Sequence, residues 1–251
     1  MPDPLPRLRL GEVEIIALVG GRLRLDGGAM FGVVPRVLWE RVAPPDERNR
    51  IQMRSTPLLV RAAGRQIIVD LGLGDKYDAR FRDRYAIEPA PLPDLLRLAG
   101  SHAGEVDTVI CTHLHWDHAG GATWRDATGR LHPTFPRADY LVQRREWHDA
   151  LHPTERNHAS YRPDDFRPLA EAGRLTLIDG PTVVAPGLTT VHLGGHTAAL
   201  QGALIQTAAG SLLALNDLVP TAAHLPYPFV MGYDLYPLDT LARRKELLPR
   251  A

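Results

Sequence analysis

Cysteine is all but missing: Cys111 is the single one in 251 residues. No internal disulfide framework is possible, and its place in an apolar, β-branched run marks it as a small core hydrophobe, not a nucleophile. Long apolar runs are missing too, since no segment approaches the roughly 18 residues needed to span a bilayer. The start, Met1-Pro2-Asp3-Pro4-Leu5-Pro6, lacks the basic-then-apolar order of a secretory leader. Net charge is absent, with 29 basic and 29 acidic residues, so no overall field draws the chain to nucleic acid or to an anionic membrane. These absences predict a cytoplasmic, soluble chain with a small-molecule partner, no nucleic acid and no membrane. The 44% hydrophobic content is enough, at this length, for a sizeable core.

What is abundant is histidine, and it is concentrated. The stretch Thr112-His113-Leu114-His115-Trp116-Asp117-His118-Ala119-Gly120-Gly121 places four metal-capable side chains within six residues, with no lysine or arginine among them. It follows Val106 to Cys111, which reads as a buried strand. Side chains two apart on an extended segment share a side, so His113 and His115 can converge on one ion where the strand ends. Asp117 and His118 are adjacent, so the backbone must turn there and aim them at a second, neighbouring point. Imidazole with carboxylate suits zinc, or else manganese or iron. Two glycines directly after allow a tight turn.

H-x-H-x-D-H after a strand resembles the signature of the metallo-β-lactamase superfamily, matched at all four positions. The resemblance implies a four-layer αβ/βα sandwich over a single domain, residues 1–251, with the metals at one edge between two sheets. It implies further site residues. Asp70, at the end of the apolar strand Gln66 to Val69 and before Gly72 and Gly74, occupies the place of an aspartate that orients the metal loop. His196, in Gly195-His196-Thr197, matches the third motif and completes a set with His113 and His115. Asp217, at another strand end, matches the carboxylate that bridges both metals; relatives usually have glycine where Asn216 stands, and a side chain there can crowd or hydrogen-bond that carboxylate. Many relatives follow the third motif with Pro-Gly, whereas Ala198-Ala199 stands here. Asp117 and Asp70 are the implied catalytic carboxylates.

The chemistry so implied is hydrolysis of an ester, lactone or related carbonyl substrate. A bound zinc ion lowers the pKa of its water from about 16 toward about 7 and polarises a carbonyl, while Asp117 orients that water and passes a proton to the leaving group. One expected ligand is missing: a histidine near the C-terminus that completes the second metal's shell. Only His224 follows Asp217, seven residues on, much closer than that motif falls, and the family's closing strand and helix are not evident. The expectation is one tight zinc and a second, weak one, with His224 or water as partial substitutes. His115 stands where the superfamily's iron flavoproteins carry glutamate, which argues against diiron redox chemistry. Pro220 stands where its lactonases often carry tyrosine. Two rival readings are a degenerate, non-catalytic metal binder and a mononuclear iron dioxygenase.

Elsewhere, turn residues and periodicity predict hairpins at Val13 to Leu25 around Gly20-Gly21, Pro57 to Val69 around Ala63-Gly64, and Gly202 to Leu215 around Ala208 to Gly210. Further strands are expected at Ala138 to Gln143, Leu175 to Ile178, Thr182 to Ala185 and Leu188 to Leu193. Helices are expected at Pro93 to Ala99, Arg144 to Leu151 and Asp239 to Leu248. The Pro-, Asp- and Arg-rich region from His152 to Arg167 reads as a surface loop with exposed His152 and His158. His192 reads as structural. Met30, Phe31 and the segment Leu225 to Met231 are candidates to line a pocket.

Overall fold

The computed structural model describes residues 5–250; Met1 to Pro4 and Ala251 lie outside it, and with them most of the start read above for a leader. A seven-stranded sheet runs in the order Arg7–Leu10, Val13–Ala17, Leu58–Ala62, Arg65–Val69, Thr108–Ile110, Asp139–Gln143, Leu175–Ile178. Its last four strands are parallel neighbours. The central strands are apolar on both faces, as burial on both sides requires. Alternate residues therefore enter two different cores. Ile16, Leu59, Ile68, Val109, Tyr140 and Val142 meet Leu95, Leu96, Ala150, Phe166 and Leu169 of the helices Leu92–Leu98, Arg144–Leu151 and Pro163–Glu171. Their neighbours Ile15, Val60, Ile67, Val69, Ile110 and Leu141 meet Val184, Leu188, Ala203 and Ile205 of a second, four-stranded sheet.

That second sheet runs Val183–Ala185, Leu188–His192, Gln201–Thr207, Gly210–Ala214, all antiparallel. Leu193, Leu200 and Leu218 beyond its strands form a small cluster with Leu247 of the helix Pro237–Leu247. The layering is helix, sheet, sheet, helix, the αβ/βα sandwich implied by the resemblance. No helix among the described residues is long and apolar enough to cross a membrane.

Two predicted elements are corrected. Val13–Ala17 does not form a hairpin with Arg22–Asp26; it pairs with Arg7–Leu10, while Arg22–Asp26 leaves the sheet and pairs with Arg50–Arg54 in a separate ribbon. The first pairing is a local hairpin turning at Gly11 and Glu12, whereas Arg22–Asp26 and Arg50–Arg54 are too far apart in sequence to leave a local turn signal. The region from His152 to Arg167 is not all loop, because Pro163 opens the helix Pro163–Glu171 with Asp164 and Asp165 in its first turn, a favourable start for both the ring and the macrodipole. His152 and His158 are exposed, as expected. The stretch after Asp26 folds as a short helix, Gly27–Phe31, capped by the Asp26 carboxylate, which accepts from the Ala29 N–H at 2.8 Å.

Candidate metal centre

Parallel strands carry their ligand-bearing loops to one edge, outside the strands' carboxyl ends. Arg65–Val69 delivers Asp70, Thr108–Ile110 delivers His113 and His115, and the short helix Trp116–Ala119 carries Asp117 and His118. Across the interface, Leu188–His192 and Gly210–Ala214 run in the same direction and deliver His196 and Asp217 to the same edge. Gln201 ties the two halves together there: its N–H donates to Thr112 O at 2.9 Å and its side-chain amide to Cys111 O at 2.8 Å.

The histidines converge. One imidazole nitrogen each from His113, His115 and His196 lies within 4.8 Å of the others, and one atom each from His113, His118 and Asp217 does the same. Asp217 faces both groups, with Oδ2 3.3 Å from His196 Nε2 and 4.0 Å from His113 Nε2, and Oδ1 3.2 Å from His118 Nε2. Asp117 Oδ2 is 3.7 Å from His118 Nε2 and belongs to neither group. His113 Nε2 and His115 Nε2 are buried without a hydrogen-bond partner. An orphaned buried nitrogen costs about 1–3 kcal/mol; His113 Nε2 is one that faces Asp217, and His115 turns its other nitrogen, Nδ1, to within 3.0 Å of His196 Nε2, so the cluster fits a cation that would take these lone pairs.

Outer partners fix the rings. His118 Nδ1–H donates to Asp70 Oδ2 at 2.6 Å, leaving Nε2 free to face Asp217. Asp70 has φ +69 and Asn216 φ +45, both in the left-handed region that costs a non-glycine residue about 1–3 kcal/mol. Asn216 Nδ2 donates to Asp70 Oδ2 at 2.9 Å, not to Asp217 as its neighbour position suggested; the positive φ accounts for the glycine usual in relatives. His196 Nδ1–H donates to Asp234 Oδ1 at 2.9 Å, and Asp234 Oδ2 accepts from Thr240 at 2.8 Å. Nothing local in the sequence distinguishes Asp234.

His224 is not in the cluster. It is buried, takes the Thr221 hydroxyl at 2.7 Å and Met30 O at 2.9 Å as partners, and stacks on Phe31 at 4.6 Å. His192 is exposed and bonds to Ala198 O, the structural role expected.

Burial, followed by the neighbouring imidazoles, holds His113 well below the ordinary histidine range, and burial does the same to His115. For His118 burial is outweighed by Asp217, Asp70 and Asp117, and the ring is held well above that range; for His196 Asp217 and Asp234 outweigh burial and raise it. Burial and then repulsion by Asp217 raise Asp117, whereas Asp217, although buried, is lowered by His118 and His196. Metal uptake must displace the protons on His118 and His196. Zinc affinity is therefore expected to climb as pH rises through and beyond about 6.5, with protons released on binding. Chelator competition at several pH values checks this, and a flat profile would refute it.

A cavity of about 430 Å³ opens over the cluster, within the range of ligand sites. His115, Asp117, His118, His196 and Asp217 form its floor, while Leu23, Leu25, Met30, Met53, Trp116 and Met231 wall it. Met30 and Met231 thus line the cavity as expected, but Phe31 does not: it is fully buried between Trp39 and His224. Pro220 also reaches the cavity, whose tyrosines are Tyr85 and Tyr233.

An αβ/βα sandwich with a histidine–carboxylate cluster at its strand ends defines a class of metal-site protein. The chain belongs to the metallo-beta-lactamase superfamily, whose model matches residues 52–250. It is 28% identical over 161 residues to an N-acyl homoserine lactonase of Bacillus thuringiensis, covering 62% of this chain and 57% of that one. It is 31% identical over 157 residues to the N-acyl homoserine lactonase AttM of Azorhizobium caulinodans, covering 61% and 56%. The match thus spans little over half the length of these curated relatives. Among solved structures, a "probable metal-dependent hydrolase" of Staphylococcus aureus superposes with a TM-score of 0.90 at 29% identity, over 97% of this chain and 86% of that one. AidC, a dizinc quorum-quenching lactonase, superposes at 0.79 with 20% identity, over 98% and 86%, a likeness of fold.

Proposed function

We propose that the chain is a zinc-dependent hydrolase that opens a lactone carrying an apolar substituent. The observation that carries this reading is the convergence of one nitrogen each from His113, His115 and His196 within 4.8 Å, with His113 Nε2 buried and unpartnered, beneath a cavity walled in part by Leu23, Leu25, Met30, Met53 and Met231. His113, His115 and His196 would hold the first ion. A single nitrogen of His113 serves both donor groups; committed to the first, it leaves the second with His118, Asp217 and the nearby Asp117. The first ion is therefore the tight one and the second the weak one. The activities of the Bacillus and Azorhizobium relatives support lactones as the substrate class.

Bound zinc would supply an activated water and a polarised carbonyl. The chain's own groups do the rest. Met30, Met53, Trp116 and Met231 shield the reacting carbonyl from bulk water and receive the apolar substituent. Asp117, its pKa raised, takes a proton from the attacking water and returns it to the ring oxygen as the carbon–oxygen bond breaks, so that lactone and water become an alcohol and a carboxylic acid, which then loses its remaining proton to solvent. Asp70 and Asp234 keep His118 and His196 in the tautomers that present Nε2.

Elemental analysis of protein purified without added metal, paired with turnover of N-acyl lactones, simple esters and phosphotriesters, tests the reading. Zinc near one per chain, a second only in excess metal, and chelator-sensitive lactone opening are expected. A zinc-filled protein inert to all three classes would favour a non-catalytic metal binder, and iron with oxygen uptake a dioxygenase.

A further inference from the structure

Glu146 is a carboxylate where none is needed for packing. It sits in the first turn of Arg144–Leu151, 1% exposed, and no lysine or arginine pairs with it among the described residues. Its oxygens accept three hydrogen bonds from three separate parts of the chain: the Leu114 N–H to Oε1 at 3.0 Å, the Tyr161 hydroxyl to Oε1 at 3.2 Å, and the Thr197 hydroxyl to Oε2 at 2.6 Å. Each donor is tied to a candidate ligand. Leu114 lies between His113 and His115, and Thr197 follows His196. Tyr161 forms an isolated antiparallel bridge with His115 and packs its ring edge-on at 4.9 Å.

We propose that Glu146 is a positioning residue for the metal centre, its one carboxylate setting the separation between the His113–His115 loop and His196. The argument rests on the metal-centre reading above. His115 and His196 come from different sheets of the sandwich, and their nitrogens approach to 3.0 Å. Gln201 joins the sheets behind the loop, at Thr112 and Cys111, but among the described residues Glu146 alone bonds to the residues flanking both His115 and His196. Burying a carboxylate is costly unless its lone pairs are met. Three donors meet them here, and a neutral apolar residue would pack at less cost but bridge nothing.

The test is zinc affinity of the full-length chain, measured against a chromophoric chelator with zinc alone as the probe. Glu146→Ala is expected to weaken zinc about 10- to 100-fold, the size usual for partners behind metal ligands. Glu146→Gln is expected to stay within about threefold of the parent: its amide oxygen still accepts from Leu114 and Tyr161, and the Thr197 hydroxyl turns to accept from its amide nitrogen. Tyr161→Phe and Thr197→Val each remove one bond and should each weaken zinc a few-fold. A lowered melting temperature in Glu146→Ala with parental zinc affinity would overturn the proposal, leaving a structural role only. Should Glu146→Ala fail to fold, Tyr161→Phe and Thr197→Val decide, and parental affinity in both would overturn it. A parent that binds no zinc refutes the metal-centre reading instead, and this proposal with it.

Discussion

His113→Ala is expected to abolish both lactone turnover and stable zinc binding. His113 is the residue shared by the two donor groups, so its loss leaves the first with two imidazoles and the second with His118 and Asp217. Apparent binding energies of about 10–16 kcal/mol for four-ligand zinc sites imply about 3 kcal/mol per ligand, or roughly a hundredfold in affinity. The metal-free variant should itself melt somewhat lower, because the buried imidazole leaves a cavity and its Nδ1 contact with the Thr112 hydroxyl at 3.3 Å is lost; the larger change is in the response to zinc. What disappears is the rise that zinc gives the parent. His192→Ala, at an exposed histidine whose ring bonds Ala198 O, is the matched control and should keep metal and turnover. Zinc stoichiometry by elemental analysis, turnover, and melting with and without zinc check this; parental zinc content in His113→Ala would sink it.

The candidate donors were readable in two ways: His113, His115 and His118 from a dense local pattern of histidines at a strand end, and His196 and Asp217 from the resemblance to the superfamily's later motifs, while Asp117 of the same pattern stands outside both donor groups. The groups that aim them were not. Asp234 reaches His196 across 38 residues and Glu146 reaches Thr197 across 51, and a buried carboxylate looks in sequence like any surface acid. Glu146 did carry one signal, an acid in the first helical turn directly after an apolar strand, but strand-end placement alone does not set a site residue apart from a turn, and Asp70 itself was marked by the family resemblance. Alternation of apolar residues revealed the strands, but pairing is non-local, which is why Arg22–Asp26 was given the wrong partner. Helix Pro163–Glu171 was overlooked because its polar face and Pro168 dilute the apolar period, although Pro163 followed by two acids marks a helix start. The histidine at 224 shows the limit in the other direction. Its residue type suited a ligand, but its ring is held by Met30 O and Thr221.

Lys76→Ala should be the most damaging substitution outside the centre. Lys76 is 2% exposed and its Nζ lies 3.0 Å from Asp165 Oδ1, itself 1% exposed. The same ammonium donates to Gly120 O and to Thr123 O, so it fixes the backbone that follows Asp117 and His118. That backbone has no slack, since a Cβ added at Gly120 would meet the Leu73 carbonyl and the Tyr77 hydroxyl. Burial, helped by repulsion from Asp164, raises the Asp165 pKa, and Lys76, with a smaller contribution from Arg162, opposes the rise; without the lysine a buried carboxylate loses its main compensation. Breaking such a pair costs about 3–5 kcal/mol, which at this chain length lowers the melting temperature by about 6–20 °C. Arg162 cannot take over, because it stands 3.9 Å from Asp165 Oδ2 with its guanidinium over the rings of Tyr77 and Phe81 at 5.1 and 5.0 Å. The double variant Lys76→Met with Asp165→Leu separates charge from packing. It should recover most of the stability, since two apolar groups of similar size leave no charge stranded, yet it cannot donate to Gly120 and Thr123. Zinc affinity should therefore stay below the parent's even where the denaturation midpoint returns. Recovery of both together would mean that the ion pair acts only through stability and that the loop after His118 is held without Lys76.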